Sequence, residues 1–569
     1  MKILRKLSAV LLTAALLLSP LTACERPTAP ESADDPQTTD SRTAESPTGT
    51  LSSSDSEDGQ PPESESTPTT DAPRPLPEPV RRAEDAGILP GTDAGETTEK
   101  LNALLSQGGT VLVDVPGIYD LDDTLLIGSD TALVCSSGVS FRQTRDVGGI
   151  ILNRGALTRE YDSNIVIDGL NVICDGHWSS SSTYVPGLRG KIALYYTRDS
   201  VIRNVTCSDI PKETYFIHVS RFDGLLIEDC VISGFKDGIH VSTGDGLTVR
   251  GCRISTKDDP IALNAHDYVN GCPELGDIRN VLIENCVNAS DNRGFITENF
   301  PSYSSYSGNR GMLLLGGGWL DWAEGNRYRR SDAVVSNGYV YQLDAPDSGA
   351  NAGQEYTSSS APTHSAGSVT YPDGLTWVWK GTAVYGARVE NLTVRDYRVE
   401  TTHEVLFYSY CDNDVFSRSV YPGAYAPPHT NLTFENVTVD PEYWFHSFLY
   451  YRYPADEVTI RNCDFTGRAV LRVNTDKPWD TVRGNNRFNV RVTDSTFVLG
   501  NNPQGSPYAS PMYTVQSYCN GSYSGDTPVI FQLAASGNAC PQAMGNSISD
   551  SSARVIRSGN GCDLLPAIE

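Results

Sequence analysis

Short runs of alternating apolar and polar residues recur along most of the chain. The clearest pair is DGLLIEDCVISGFKDGIHVS at 223–242 and DGLTVRGCRISTKDDPIALN at 245–264, which align without a gap from Asp223 on Asp245 to Ser242 on Asn264. Related runs begin at positions 164, 280, 391, 431 and 457. Alternation of this kind predicts short β-strands with one buried face, separated by polar turns. The chain is therefore predicted to be all-β.

The length of the repeat limits how these strands can pack. Strands so short can bury an apolar face only if successive coils stack on one another, about 4.8 Å apart. A β-sandwich would instead need hairpin turns, and it would not keep a repeat in register. The repeat therefore predicts a parallel β-helix. Its core columns would pair Leu225 with Leu247, Ile227 with Val249, Cys230 with Cys252, Ile232 with Ile254, Ile239 with Ile261 and Val241 with Leu263.

Two regions depart from the repeat. Residues 98–133 predict a short helix, a Gly-Gly turn and strands, an order that resembles the N-terminal cap of pectin-active β-helix enzymes. Residues 324–381 have the hairpin pattern of a small all-β insertion, in which Trp377 and Trp379 are either the insertion's own core or a platform for sugar rings. The predicted order is the cap and first half of the β-helix at 81–323, the insertion at 324–381, and the second half with a C-terminal cap at 382–569.

The N-terminal stretch that ends at Cys24 predicts an export signal. A positively charged start is followed by an apolar run, Leu7 to Leu18, that is shorter than the roughly 20 residues a membrane-spanning helix needs. The run leads into Leu-Thr-Ala-Cys, which resembles a bacterial lipobox, and this resemblance implies cleavage before Cys24 and lipidation of that cysteine. An ordinary signal peptide, in which Cys24 is incidental, is the alternative.

An acidic low-complexity segment follows the signal. Residues 25–80 contain 13 acidic residues and three arginines, but no aromatic residue and no isoleucine. Such a segment cannot bury enough apolar surface to offset its chain entropy, so it predicts a disordered stalk. Of the net charge of −26, this segment carries −10 and the signal +3, and the −19 left on residues 81–569 argues against nucleic acid as a partner. Signal and stalk together predict an exported protein, lipid-anchored to the bacterial cell membrane and facing the cell surface.

Thirteen cysteines in an exported chain raise the question of disulfides. Most of them fall within the repeats, where a reduced cysteine packs as a small apolar side chain. We expect free thiols at Cys207, Cys230, Cys252 and Cys286, and the better disulfide candidates are Cys519, Cys540 and Cys562.

The same register brings acidic residues together on the outer surface. It places Asp237 beneath Asp259, one coil apart, with Asp258 beside them and above Lys236. Neighbouring Gly and Pro residues mark this position as a turn, where alternation breaks and side chains can point outward. One outward column is predicted to hold Tyr215, Asp237, Asp259 and Arg293, and a second column holds His218 and His240.

Three clustered carboxylates have a chemical consequence. Their mutual repulsion raises at least one pKa, which supplies a protonated acid beside an ionised base. Cleavage of a glycosidic bond needs this combination. The alternative is a solvated turn, in which aspartates are also common.

The motifs at these positions resemble those of the polygalacturonase-type glycoside hydrolases, which are right-handed parallel β-helices of the pectin-lyase-like fold. The family's Asn-Thr-Asp-Gly and Asp-Asp-Cys-Ile-Ala, one coil apart, correspond here to FKDGIHV and KDDPIAL. The resemblance covers roughly residues 90–300. It implies that Asp258 is the general acid and that Asp237 and Asp259 activate the water in a single inverting displacement.

Two features of that family are missing from this chain. The Gly-His-Gly of the next coil is absent, so that His266 or His240 would take its place. The Arg-Ile-Lys that binds a uronate carboxylate is also absent, which with the acidic net charge favours a neutral or lightly charged glycan. The two tryptophans in GGGWLDWAEG either stack on sugar rings or plug the insertion junction. The predicted substrate-binding residues are Arg293, His240, His218, Tyr215, His266, Asp267, Trp319 and Trp322.

The sequence thus predicts a surface-tethered glycoside hydrolase that acts on an oligo- or polysaccharide without a cofactor or metal ion. A polysaccharide lyase on the same fold is an alternative, because the three aspartates suit Ca²⁺, although Arg293 alone gives weak support for a lyase base. A third class is a non-catalytic glycan-binding β-helix, which would show aromatic ladders without clustered acids.

Overall fold

The computed structural model describes residues 75–557, with gaps at 180–183, 305–309, 346–352, 411–419, 422, 475–486, 502–505, 510–511, 519–528, 542–543 and 549–552. The predicted signal with Cys24, and the predicted stalk up to residue 74, lie outside the described residues. Among the helices that are described, none is long and apolar enough to cross a membrane.

The chain winds into coils that contribute strands to three parallel faces, which is the predicted right-handed parallel β-helix. The first face contains Val80–Arg82, Gly109–Val113, Thr131–Cys135, Ile165–Asp168, the later parts of Gly190–Arg203 and Tyr215–Glu228, Gly244–Arg250, Ile278–Glu284, Val389–Arg395, His429–Glu435, Ala455–Arg461, Arg487–Thr493, Val529–Ser536 and Ala553–Arg557. The second face contains Gly117–Leu121, Val139–Gln143, Asn171–Ile173, Thr206–Ile210, Val231–Gly234, Arg253–Thr256, Val287–Ala289, Arg398–Glu400, Thr438–Val439, the start of Asp464–Asn474, and Thr496–Leu499.

The third face carries the clustered aspartates. It contains Leu125–Ile127, Ile151–Asn153, the early parts of Gly190–Arg203 and Tyr215–Glu228, Ile239–Val241, Ile261–Asn264, Met312–Leu315, His403–Tyr410, Phe445–Tyr451, the end of Asp464–Asn474, Met512–Tyr518 and Met544–Ile548. Strand Asp162–Ser163 pairs in parallel with the middle of Gly190–Arg203, between the third and first faces. Other short elements lie outside the sheet: helix Gly155–Thr158, and the 3-10 turns Glu84–Ala86 and Pro301–Tyr303.

Helix Ala94–Leu105 forms the predicted N-terminal cap. The Asp93 side chain accepts hydrogen bonds from two backbone N–H groups in the first turn, which starts the helix there. Leu101 and Leu105 are buried against the first coil. Gly108 and Gly109 follow at positive φ, a conformation that favours glycine, and lead directly into the first face.

Equivalent residues of successive coils stack in the interior, as the repeat predicts. Ile217 pairs with Ile239, and Ile239 pairs with Ile261. All three are fully buried. The core also holds the four cysteines predicted to be free thiols, and they are free and buried: Cys207, Cys230, Cys252 and Cys286. Two of the three disulfide candidates, Cys519 and Cys562, lie outside the described residues.

The predicted register fails one coil beyond the aspartates. Ala262 pairs with Leu313, which places Arg310 above Asp259. The predicted occupant of that position, Arg293, instead begins the helix Arg293–Asn299. A helix returns a residue to the same side about every 3.6 positions, so a count made for strands does not apply there. The prediction that Arg293 lies in the aspartate column is therefore wrong.

The insertion is a small mostly antiparallel sheet with its own core. Trp377 and Trp379 are buried in that core, so they are not exposed platforms for sugar rings. The sheet consists of Leu320–Asp321, Ala333–Ser336, Tyr339–Asp344, Ser368–Thr370 and Thr376–Thr382. Two further antiparallel pairs accompany it: Gly317–Gly318 with Gly386–Ala387, and Arg327–Tyr328 with Tyr356–Thr357.

Candidate active site

Asp237, Asp258 and Asp259 meet on the third face, just before two successive strands. The backbone N–H of Gly238 donates to the carbonyl oxygen of Asp259 at 3.1 Å, so these two coils are in the predicted register. One carboxylate oxygen from each aspartate lies within 4.8 Å of the other two. Asp237 and Asp259 are buried, whereas the Asp258 side chain is 14% exposed. The structure therefore brings together the three acids that the sequence predicted to cluster.

Asp258 is held by two cations. The Lys236 ammonium contacts one carboxylate oxygen, and the Arg310 guanidinium lies 2.8 Å from the other. Burial alone would raise the pKa of Asp258, but Lys236 and Arg310 together lower it well below the usual range. Asp258 is therefore ionised at neutral pH. This contradicts the expectation, taken from the family resemblance, that Asp258 stays protonated as the acid.

Asp259 has the opposite environment. Burial, and then the negative charges of Asp258 and Asp237, raise the pKa of Asp259 well above its ordinary value. Within the part of the chain that the structure describes, no hydrogen bond or ion pair holds its carboxyl group. The surroundings of Asp259 therefore favour its protonated form.

Asp237 belongs to a row of charged groups, joined by a hydrogen bond to His240 and continued by an ion pair from His240 to Asp267. Its Oδ2 lies 2.8 Å from Nδ1 of His240, and Nε2 of that ring lies 3.4 Å from Oδ2 of Asp267. Burial opposes a charge on His240, but the two neighbouring carboxylates raise its pKa. The second oxygen of Asp237, Oδ1, is buried without a hydrogen-bond partner among the described residues. The imidazole thus fixes Asp237, and the only cation near Oδ1 among the described residues is the Lys236 ammonium at 3.8 Å.

The residues beneath His240 support it rather than face a ligand. The Tyr215 ring stacks on His240 with centroids 3.8 Å apart and an interplanar angle of 5°. His218 meets the same imidazole edge-on at 4.7 Å. Tyr215 and His218 are both fully buried, and burial lowers the pKa of His218 well below its usual value. Tyr215 and His218 were predicted to bind substrate, but in this structure they position the His240 ring.

Three other predicted binding residues lie at the insertion junction. His266 is fully buried beside the Trp319 ring, with centroids 5.7 Å apart, and burial lowers its pKa to about 4. Trp319 is 1% exposed and donates its indole N–H to the carbonyl oxygen of Val384. Trp322 packs against the insertion's core. These residues plug the junction, and His240, not His266, lies beside the aspartates.

The third face continues beyond Arg310 with aromatic and basic residues that the sequence prediction missed. The Tyr408 and Tyr450 rings stack at 4.9 Å, and the Arg472 guanidinium lies 4.6 Å from the Tyr450 centroid. The sequence shows these tyrosines, but their register depends on the long excursion before Arg310 and on the insertion. One outward column contains Ala262, Leu313, Tyr408, Tyr450, Arg472 and Gln516 in successive coils.

The insertion docks on the loop that carries Asp267. Gln342 donates from Nε2 to the backbone oxygen of Asp267 at 2.9 Å and to that of Ser331 at 3.1 Å. Lys380 is buried, and its ammonium donates to the backbone oxygens of Val269 and Cys272 at 2.6 and 2.5 Å. The insertion thus holds the loop whose Asp267 pairs with the His240 imidazole, on the side away from Asp237.

We expect Gln342→Leu to destabilise the protein and to lower its activity. The change keeps roughly the same volume but removes two buried hydrogen bonds, a loss of about 1–3 kcal/mol in the free energy of unfolding. Activity should fall as well, because the Asp267 loop loses its anchor. Denaturant unfolding measures the first effect. Gln107→Leu, the same change at an exposed position, should stay within about 0.5 kcal/mol of the wild type. Equal stability of the two variants would contradict the proposed docking.

Comparison with known proteins agrees with the fold. Residues 190–311 match a family model described as right handed beta helix region. No curated protein matches the chain in sequence.

Three solved structures illustrate the likeness. The A-module of a mannuronan C-5 epimerase from Azotobacter vinelandii has 11% identity and a TM-score of 0.44, over 84% of this chain and 100% of that one. A family 28 exopolygalacturonase from Yersinia enterocolitica has 9% identity and a TM-score of 0.41, over 87% of this chain and 79% of that one. A surface adhesin of Streptococcus pneumoniae has 9% identity and a TM-score of 0.44, over 84% of this chain and 94% of that one.

These proteins differ in activity, their identities to this chain are low and their TM-scores lie below 0.5, so they carry no conclusion about this chain. The strand pairing and the family match agree on the fold. The chain is a right-handed parallel β-helix protein, with three clustered aspartates on one face.

Proposed function

We propose that this protein is a glycoside hydrolase that cleaves an oligo- or polysaccharide at Asp237, Asp258 and Asp259. The observation that carries the proposal is the division of charge within the cluster. Asp259 is a buried acid with a raised pKa, and Asp258 beside it has a lowered one. A proton donor next to an ionised carboxylate is the arrangement that glycosidic cleavage requires.

In the proposed reaction, Asp259 gives its proton to the glycosidic oxygen as the bond to the anomeric carbon breaks. A water molecule held by Asp237 and Asp258 attacks that carbon and releases a proton to Asp237 Oδ1. His240, bonded to the other oxygen of Asp237, keeps the carboxylate in place. The roles of Asp258 and Asp259 are thus exchanged relative to those implied by the family resemblance.

We propose inversion as the stereochemical course. The carboxylate oxygens lie within 4.8 Å of one another, nearer to the roughly 5–5.5 Å typical of retaining pairs than to the roughly 6.5–9.5 Å of inverting ones. However, Asp258 is neutralised by two cations and Asp237 is bonded to His240, which weakens both as nucleophiles. Both carboxylates remain able to hold a water molecule between them.

The local charges favour a glycan that carries acidic groups. The Arg310 side chain is 54% exposed beside Asp258, and Lys257 lies close by, 5.2 Å from the Tyr303 ring. Further along the face, Arg472 follows the stacked tyrosines. The expectation of a neutral or lightly charged glycan came from the missing Arg-Ile-Lys and from the acidic net charge. A ligand in the site experiences the nearby charges more strongly, because salt screens distant ones.

These cations also bear on the lyase alternative. A lyase needs a neutral base to remove a proton beside a uronate group. Burial disfavours charge on Lys236, but Asp258 and Asp237 raise its pKa above the ordinary value, so the lysine stays protonated. Asp258 already has a cation at each oxygen, and Ca²⁺ would have to compete with them. Both observations favour hydrolysis.

A panel of neutral and acidic polysaccharides tests the proposal. We expect new reducing ends from an acidic polymer without the ultraviolet absorbance of unsaturated sugars. Unsaturated products would favour the lyase. Glycan binding without any cleavage would favour the non-catalytic binder.

We also propose that the protein is exported and tethered to the membrane through lipid on Cys24, with residues 25–80 as the stalk. The proposal follows from the lipobox-like Leu-Thr-Ala-Cys at the end of the apolar run. Cys24→Ser should move the protein from the membrane fraction to the soluble fraction, measured by immunoblot after cell fractionation. Cys207→Ser, a change of the same kind within the core, should leave the folded protein at the membrane. A wild-type protein that is already soluble would contradict the tether.

A further inference from the structure

A cavity of about 460 Å³ lies where the insertion joins the β-helix. This volume is within the roughly 300–1,000 Å³ that small-molecule sites span. None of the three clustered aspartates lines it. Its walls come from both sides of the junction: Asp277, Trp319, Leu320, Tyr385, Gly386, Arg388, Tyr425 and Pro427.

Exposed apolar side chains are concentrated around this cavity. Tyr385 is 54% exposed, Tyr425 is 49% exposed, and Leu320 is 37% exposed. Single exposed apolar residues are ordinary on a protein surface, but several around one cavity indicate a binding site. Trp319 lines the cavity beneath them and is itself buried.

The wall residues are held in place before any ligand binds. The Tyr385 hydroxyl donates to Oδ1 of Asp321 at 2.8 Å, which limits rotation of the ring. An added Cβ on Gly386 would lie 2.5 Å from the Pro427 ring, so this wall is closely packed. Side chains that are already ordered lose little conformational entropy when they bind a ligand.

The polar groups supply a second kind of contact. Arg388 presents a guanidinium that also pairs with Glu390 at 3.3 Å. Asp277 accepts hydrogen bonds from Arg279 and from the backbone N–H of Arg388. Tyrosine rings beside a guanidinium and a carboxylate match the two surfaces of a sugar, which has an apolar ring face and hydroxyl groups around its edge.

We propose that this cavity is a second glycan-binding site that does not take part in catalysis. The ligand is a segment of a polysaccharide, stacked on Tyr385 and Tyr425 and hydrogen-bonded by Arg388 and Asp277. The choice of a sugar ligand rests on the proposed function, but binding here needs none of the catalytic aspartates. Occupying two sites with one chain raises the local concentration of substrate at the third face.

Binding can be tested without cleavage in an Asp259→Asn background. The probes are polygalacturonate and mannuronan, measured by retardation in native gels that contain the polymer, and insoluble α-1,3-glucan, measured by sedimentation. We expect the parent to bind at least one probe. Adding Tyr385→Ala and Tyr425→Ala should weaken that binding about tenfold, the value of one well-stacked aromatic contact.

The control is Val369→Ala in the same background, since Val369 is 38% exposed on the insertion's edge but does not line the cavity. It should leave binding unchanged. Thermal unfolding should be the same for all variants, because both tyrosines are about half exposed. Undiminished binding by the double tyrosine variant, or a parent that binds no probe, would overturn the proposal. Loss of binding in the double variant would support the site even if the wild type hydrolysed none of these polymers.

Discussion

Asp259→Asn should lower the rate of glycan cleavage by about 10²–10⁴, the usual contribution of general acid catalysis. Asparagine keeps the shape of the side chain but has no proton to give to the leaving oxygen. An aryl glycoside with a good leaving group, if the site accepts it, should lose much less, because its departure needs little protonation. The rates are compared with those of Asp223→Asn, since Asp223 pairs with Arg198 on the first face and its side chain is 64% exposed. That control should react at the wild-type rate.

The stability of Asp259→Asn has a predictable sign. A carboxyl group whose pKa is higher in the folded state binds protons more tightly there, so stability falls as pH rises from its unfolded pKa of about 3.9 to its folded pKa. Asparagine resembles the protonated form at every pH and removes this loss. At pH values above the unfolded pKa of about 3.9, neutral pH included, the variant should therefore unfold at a higher denaturant concentration than the wild type. A less stable variant at neutral pH would show that Asp259 is not the protonated carboxyl.

Asp237→Asn should slow cleavage by a similar factor, about 10²–10⁴, but it should affect good and poor leaving groups alike. Both kinds of substrate need the attacking water, and asparagine cannot take its proton. The change also leaves His240 with only one carboxylate partner, which should lower the imidazole pKa. NMR titration of His240 measures this shift independently of activity. A strong dependence on the leaving group would assign the acid role to Asp237 instead.

The cleavage rate should depend on pH in two steps. It should fall at low pH, where the catalytic base becomes protonated, and at high pH, where the catalytic acid loses its proton. Because the carboxyl groups interact strongly, both apparent pKa values are properties of the cluster. Asp259→Asn should remove the alkaline limb, which a pH series of the cleavage rate measures.

The sequence was sufficient for the fold and for the position of the aspartates. The repeat determines which side chains lie above one another, so Asp237, Asp259 and Lys236 could be placed from spacing alone. Spacing could not place Arg310, because a helix and a long loop separate it from the previous strand of the third face. The assignment of the acid to Asp258, which the proposed mechanism reverses, was made without Arg310. It counted repulsion among carboxylates without the second cation that keeps Asp258 ionised.

The residues that hold His240 and the Asp267 loop in place could not be predicted from the sequence either. His218 and Tyr215 were placed in outward columns, yet the structure buries both against His240. The loop after Ile261–Asn264, which no repeat predicts, brings Asp267 to that imidazole. Gln342 and Lys380, which belong to the distant insertion, then hold the loop through contacts that no short-range pattern encodes.

Isotope incorporation tests the central claim, hydrolysis at the aspartate cluster, most directly. The wild type, Asp259→Asn and Asp223→Asn are each incubated with an acidic polysaccharide in water enriched in ¹⁸O, and the products are analysed by mass spectrometry. Hydrolysis by attack at the anomeric carbon predicts one ¹⁸O at each new reducing end. The wild type and Asp223→Asn should form these labelled ends at equal rates, and Asp259→Asn should form almost none. Unsaturated products without ¹⁸O, or undiminished incorporation by Asp259→Asn, would contradict it.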